Sequence, residues 1–414
     1  MSAMWLLDQL FSRLVKGGEL RVIDADGRSR SYGRPHPDLR AVAIRLADRR
    51  VAWDIVRSPS VGIGEAYMDG RLTVEDGGDI LDFLSLVGFN TRWSAETGNP
   101  PGLWRDWLPA GTWRSWNWQR RSRRNVAHHY DLPDALYALF LDEDRQYSCA
   151  YFTDAANGLE QAQADKKAHI AAKLALKAGQ RVLDIGCGWG GMALYLHKVA
   201  DVDVLGITLS TEQLAVARRR AAEAGVSERV KFELIDYRAV EGRFDRIVSV
   251  GMFEHVGPPH YRKFFRKCHA LLEEDGVMLL HTIGRMDGPE DTDPWLTKYI
   301  FPGGYVPALS QIAPALEKEF LWLTDLEVLR LHYAYTLNHW YQRTKAARDA
   351  IIDLADERFY RMWEFYLAGA MCAFTQDAHV NFQLQLTRSR TAVPITRDYM
   401  NAPGTDHAGE ERSA

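Results

Sequence analysis

The sequence predicts an α/β fold in which a mostly parallel sheet is covered by helices on both faces. From about residue 165 onward, strand-like and helix-like stretches alternate, and a glycine-rich turn, Gly186 to Gly191, joins one strand to the helix after it. Roughly five strand-to-helix steps fit into about 100 residues, the spacing of parallel strands linked by crossover helices. In chain order, a helix is expected over 162–177, then the strand Arg181-Val-Leu-Asp-Ile185, the glycine turn, a helix to about 198 and the strand Val204-Leu-Gly-Ile207. The next helix, 211–224, stops at Gly225, a residue suited to a left-handed C-cap. Strands at 230–235 and 244–250, a helix at 259–273 ending near Gly276 and a strand at 277–282 complete the series. The Gly/Pro-rich stretch 285–305 reads as a loop or lid, and 332 to about 390 reads as long helices rich in aromatics.

The chain of 414 residues is long enough for more than one domain. The expected division is an N-terminal α+β domain over 1–110, a catalytic domain over 120–395 and a polar tail over 396–414. With 46% hydrophobic and 26% charged residues the chain is globular, and a net charge of -4 gives it no global attraction to nucleic acid. Four widely spaced cysteines, without a C-x-x-C pair or histidines at zinc spacing, point to reduced thiols, a cytoplasmic protein and no metal site. Near the N-terminus Trp5, Leu6, Leu10, Phe11 and Leu14 share a helical face, which suits packing on its own domain or insertion at a membrane surface. Five of the 13 tryptophans fall between Trp104 and Trp118, interleaved with arginines from Arg105 to Arg124. That segment suits either a packed linker or docking at the headgroup level, with Trp in the interface and Arg on phosphates.

The glycine turn reads Asp184-Ile-Gly186-Cys-Gly188-Trp-Gly190-Gly191. A carboxylate before the first glycine can face the cationic amino and sulfonium groups of S-adenosylmethionine, whereas a dinucleotide needs a helix N-terminus for its pyrophosphate. Where a nicotinamide site keeps an acid for the ribose, this chain has Gly206-Ile-Thr208-Leu. The prediction is therefore a Rossmann-like class I S-adenosylmethionine-dependent methyltransferase fold with a smaller N-terminal α+β domain. After the third strand, Asp236 is placed to accept from the adenine amino group, with Tyr237 or Arg238 covering the ring. At the same sheet edge stand Glu254 after the fourth strand and His281 at the end of the fifth, the pair of titratable groups expected of a reaction centre.

An ordered series of motifs resembles the cyclopropane-fatty-acyl-phospholipid synthases and the mycolic acid cyclopropane synthases. It comprises Asn125–Asp131, Tyr147–Phe152, Asp184–Gly191, Gly206–Ser210, Gly251–Gly257, His281–Gly284, Tyr299–Gly304 and His332-Tyr333, and spans about 120 to 390. The resemblance implies transfer of a methylene group from S-adenosylmethionine to the cis double bond of an unsaturated acyl chain in a membrane phospholipid. The intermediate would be a carbocation, deprotonated by a bound bicarbonate that groups matching Cys149, Glu254, His281, Ile283 and Tyr333 hold. The implied roles are acceptance of the bicarbonate proton by Glu254, donation by His281 and the Tyr333 hydroxyl, and backbone amides from Cys149 and Ile283. Tyr335 is a second candidate for the tyrosine. For the cofactor it implies Tyr147, Ser148, the turn from Gly186 through Gly188 to Gly190, Thr208 and Gln213 near the ribose, and Asp236 with Tyr237 near adenine. In the late helix Ala370 stands where many members carry a cysteine, and Cys372 is displaced, so no role is expected for it.

The expected enzyme is cytoplasmic and peripheral to the inner leaflet, binds no nucleic acid, and is open to homodimer formation. Proton loss from another carbon, or a hydride shift, would leave a methyl or methylene branch instead of a ring. A methyltransferase for a small soluble molecule or nucleic acid is a second class, and a lipid-binding protein with a decayed catalytic site a third.

Overall fold

The computed structural model describes residues 3–92 and 134–400. The Trp/Arg segment 104–124 and the Asn125–Asp131 motif lie outside the described residues. Tertiary contacts divide the chain into two units, one of Met1–Thr112, Thr292–Ile300 and Leu337–His379, the other of Trp113–Asp291, Phe301–Thr336 and Val380–Ala414. The contiguous division expected from sequence thus differs from the contact pattern, which returns two later segments to the N-terminal unit.

In the first unit, strands β1 (Gly18–Ile23), β2 (Ser29–Arg34), β3 (Val42–Leu46) and β4 (Leu72–Glu75) form a sheet of order β2-β1-β3-β4. The helix Ala3–Leu14 buries Leu7, Phe11 and Leu14; of the five residues expected on its apolar face, Phe11 and Leu14 are buried, Leu6 and Leu10 are half-buried and Trp5 is exposed. The carboxylate of Glu364, on the helix Glu357–Thr375, is enclosed and accepts from the Tyr67 hydroxyl at 2.5 Å.

The second unit contains the predicted sheet. Its strands are β5 (Arg181–Ile185), β6 (Asp203–Thr208), β7 (Val230–Leu234), β8 (Phe244–Val250), β9 (Leu272–Arg285), β10 (Trp322–Leu329) and β11 (His379–Thr387), in the order β10-β11-β9-β8-β5-β6-β7. Pairing of β5 with β6 and β8, of β6 with β7 and of β8 with β9 is parallel, while β10 and β11 pair antiparallel. The order in which successive strands are added reverses between β5 and β8, and ligands of doubly wound sheets bind at the carboxyl edge of such a switch point.

Side chains alternate across these strands. Val182, Val248 and Leu279 join the core under the helices Leu159–Leu174, Gly191–Ala200 and Thr211–Glu223, while Leu183, Ile247 and Leu280 join the core under Tyr261–Leu271 and Leu309–Glu317. Arg246, buried on β8, donates to the carbonyls of Leu174 and Ala175 and so caps the end of Leu159–Leu174.

The structure corrects three local expectations. The region read as helical to about 390 ends in β11, whose Val380, Phe382, Leu384 and Leu386 enter the apolar core while Asn381, Gln383, Gln385 and Thr387 are buried as well. The loop 285–305 contains a short helix, Pro294–Tyr299. The described part of the stretch read as a tail from 396 is packed: Met400 is buried and the Tyr399 hydroxyl accepts from Gln385 at 2.6 Å.

Candidate active site

The carboxyl edge of the parallel strands gathers Asp184, Thr208, Asp236, Gly251 and His281, with register pairs Asp184 to Gly206 and Val250 to His281. One pocket opens there. It is lined by Tyr147, Ser148, Asp184, Gly186, Gly188, Thr208, Gln213, Asp236 and Tyr237, nine of the ten residues expected to hold the cofactor. Gly190 is the exception. It takes the left-handed φ of +86° at the head of the helix Gly191–Ala200, and a Cβ there would stand 2.7 Å from the Phe232 ring, so packing and backbone geometry require the glycine. We expect Gly190→Ala to destabilise the fold by about 2–4 kcal/mol. In a thermal melt the variant should unfold earlier, while calorimetry below that transition returns near-native S-adenosylhomocysteine affinity.

Each wall has a local cause. The amides of Gly186 and Cys187 donate to the Ile207 carbonyl at 2.9 and 3.0 Å, which pins the turn to β6. Ser210 caps the next helix by accepting from the Gln213 amide, and the Thr208 hydroxyl donates to Gln213 Oε1 at 3.1 Å. Asp236 is gripped by its neighbour Arg238, whose Nε and Nη2 donate at 2.7 and 2.6 Å, so part of the carboxylate expected to face adenine is already engaged. Trp189 donates to Asp134 at 2.8 Å and meets the edge of Tyr137, which also abuts Tyr147.

Two buried charges set the electrostatics. Asp184 is enclosed, its Oδ2 lacks a hydrogen-bond partner, and burial raises its pKa to about 7 against the pull of Lys166. Lys166 is fully buried and donates to Gln146 Oε1 and Ser148 Oγ, both at 2.8 Å; burial lowers its pKa to about 8. A cation thus supports the loop that carries Tyr147 and Ser148.

The residues expected at the reaction centre lie outside the cofactor pocket lining. Glu254 follows β8 on a short 3-10 turn, and its Oε1 accepts from the Ile283 amide at 2.7 Å. Its Oε2 is enclosed without a hydrogen-bond partner, the nearby Thr282 hydroxyl donating instead to the Ile283 carbonyl at 3.0 Å, and burial pushes the Glu254 pKa above the usual carboxylate range. The Ile283 amide, expected to face a bound anion, is therefore used by Glu254. His281, expected to donate to that anion, has Nε2 at 3.3 Å from Asn381 Nδ2 and Nδ1 at 3.2 Å from Gln383 Nε2. Cys149 is buried, with burial pushing its thiol pKa up, so it is a poor nucleophile. The amide after it, Ala150 N–H, donates to Thr336 Oγ1 at 3.0 Å, tying this loop to the helix that begins His332-Tyr333. Tyr333 is buried, whereas Tyr335 is 36% exposed, which favours Tyr333.

Sequence reasoning missed Lys166, Gln146 and His255, the last a pocket-lining ring held neutral by burial, which lowers its pKa to about 4. It also missed Asn381 and Gln383. His255 lies beside the glutamate in the Gly251–Gly257 motif and was within reach of the same reading; the others carry no local signal.

The family model described as mycolic acid cyclopropane synthetase matches residues 117–384. A cyclopropane-fatty-acyl-phospholipid synthase of Escherichia coli K12 is 43% identical over 323 residues, 77% of this chain and 81% of that protein. A tuberculostearic acid methyltransferase of Mycobacterium tuberculosis is 35% identical over 401 residues, 92% of this chain and 91% of the relative. Among solved structures, a mycolic acid cyclopropane synthase complexed with S-adenosylhomocysteine superposes with a TM-score of 0.61 at 34% identity, covering 64% of this chain and 97% of the other. These likenesses bear out the expected Rossmann-like fold of an S-adenosylmethionine-dependent methyltransferase.

Proposed function

Because the chain belongs to the mycolic acid cyclopropane synthetase family, we propose that it transfers a methylene group from S-adenosylmethionine to the cis double bond of an unsaturated phospholipid acyl chain, closing a cyclopropane ring. The observation that carries this reading is the buried carboxylate of Glu254, one oxygen anchored on Ile283 and the other enclosed without a partner, at the sheet edge that holds the cofactor pocket. Methyl transfer to nitrogen or oxygen acceptors does not call for a dry acceptor group of this kind. Methylation of an alkene does, since the cation formed must lose a carbon-bound proton and be kept from water.

A bicarbonate ion fits this arrangement in one respect that matters: its hydroxyl would satisfy Glu254 Oε2, the orphaned buried acceptor. Bound there, it would supply a base small enough to reach a proton on a mobile alkyl chain. Glu254 and Tyr333 are the side chains that would hold it, beside the Cys149 backbone. Ile283 and His281, engaged within the protein, act by positioning. Asp184 faces the cationic part of the cofactor, and Lys166 fixes Ser148 at the pocket wall.

The proposal makes this a peripheral enzyme working at the inner leaflet. Among the described residues no helix is long and apolar enough to cross a bilayer. The long match to a tuberculostearic acid methyltransferase supports a second reading, a branched product from the same apparatus. Expression in a bacterial host without this activity separates the two. Ring formation predicts lipids that gain one CH2 unit by mass spectrometry and lose olefinic protons by NMR; an exomethylene branch would gain the same mass and keep olefinic signals.

A further inference from the structure

His281 lies on β9 next to β11, the strand absent from the sequence-based expectation, and the two side chains that flank its ring both come from β11. Asn381 and Gln383 are two residues apart, so they project to the same face of the strand. Both are buried, at 1% and 0% exposure, as is His281 at 1%. Buried amides on a strand are costly unless paired, and Asn381 Oδ1 and Gln383 Oε1 are without partners while both NH2 groups face the imidazole.

Elementary hydrogen-bond chemistry resolves this. A neutral imidazole carries one N–H and one lone pair, so two NH2 groups cannot both be satisfied by it. One amide must turn over and present its oxygen, because amide orientation follows from the network. The ring is then held at both nitrogens, one donating and one accepting, and the exchange of tautomers would require both amides to rotate together inside a packed core.

The geometry points to Asn381 and Gln383 as positioning residues that clamp the His281 imidazole in one orientation and one tautomer, so that an uncharged ring stands beside the reacting centre. The inference rests on the proposed alkene methylation for its consequence in turnover, since an imidazolium would oppose a developing carbocation. The ring's surroundings agree. Lys166, His169 and Lys173 on the helix Leu159–Leu174 disfavour its protonation, Glu327 on β10 favours it, and burial outweighs them all, lowering the His281 pKa to about 3.

The test is nitrogen-15 NMR of the full chain labelled at histidine, with His281→Asn used to assign the signals. Native protein should show one pyrrole-type and one pyridine-type nitrogen, unchanged between about pH 5 and pH 9. Gln383→Glu substitutes an acceptor-only group, so the ring should titrate near neutral pH and kcat should fall by about 10-fold or more as pH drops through that step. Should Gln383→Glu not fold, Gln383→Met carries the test: exchange-averaged ring nitrogens, a kcat about 10-fold lower and an unchanged KM for S-adenosylmethionine. Averaged or fully protonated ring signals in the native protein at neutral pH would overturn the inference. So would a variant that loses turnover while its ring signals stay native. Because the ring spectrum needs no lipid substrate, failure of the proposed reaction and failure of the clamp are read separately.

Discussion

Glu254→Gln lowers turnover by about 10²-fold or more while S-adenosylhomocysteine binds with near-native affinity, the size of effect expected for a general-base group. The substitution is well matched to the site. Glu254 Oε1 accepts from Ile283 N–H at 2.7 Å, and a glutamine carbonyl can keep that bond. The change falls on the other side, where the enclosed Oε2, an acceptor with no partner, becomes an NH2 group. An acceptor is converted to a donor without a change of volume, so loss of activity cannot be laid to a cavity. The pH profile supplies an independent check. Burial raises the Glu254 pKa, so protonation removes the carboxylate at a pH above the ordinary glutamate range. Native kcat/KM on unsaturated phospholipid vesicles should therefore fall on the acid side earlier than an exposed carboxylate would predict, and Glu254→Gln should lack that limb. A glutamine variant with the native rate would remove Glu254 from the proton-transfer path.

The parts of this site that sequence exposes are those with a local cause. The glycine turn announces itself because Gly186, Gly188 and Gly190 all take positive φ, a conformation few other residues adopt. The strands β5 to β8 announce themselves by alternation, and their carboxyl ends then place Asp184, Thr208, Asp236 and Glu254 on one edge. What sequence hides is what depends on partners far along the chain. Strand β11 alternates apolar with polar residues, a strand pattern absorbed into the helical reading of the aromatic-rich stretch before it, and its polar face is buried too, which alternation alone does not announce. Its Asn381 and Gln383 meet His281 across about 100 residues of chain, and no spacing rule links them. Lys166 is similar. It sits on a helix among other charged residues, where a solvated face is the default expectation, and only the fold turns it inward against Gln146 and Ser148. Gly190 differs from its motif neighbours in lying outside the pocket lining, with Phe232 and Ala217 standing where a Cβ would go.

Asp184→Asn should weaken cofactor binding by about 10- to 10²-fold, the range for losing a hydrogen bond to a charged group, and at the same time make the empty protein more stable. The two effects share one origin. Asp184 is enclosed, its Oδ2 has no partner, and burial raises its pKa from 3.8 to about 7 while Lys166 pulls it down. Between about pH 4 and pH 7 the unfolded chain has released a proton that the folded chain retains, so in this window the group costs stability as pH rises; above about pH 7 the cost is constant. Asparagine does not ionise. The variant should therefore gain roughly 2–4 kcal/mol over native near pH 8, the Lys166 attraction being already contained in the shifted pKa, and little near pH 4. Thermal melts at the two pH values measure this. Cofactor binding runs the other way, because a bound sulfonium and ammonium favour the carboxylate. Native affinity for S-adenosylmethionine should fall as pH drops below about 7, and the affinity of Asp184→Asn should be flat across the same range. If the variant binds S-adenosylmethionine as tightly as native and with the same pH dependence, the counter-charge lies elsewhere. If it binds weakly and gains no stability near pH 8, Lys166 already neutralises Asp184 in the empty protein, and the destabilised carboxylate is not what the cofactor relieves.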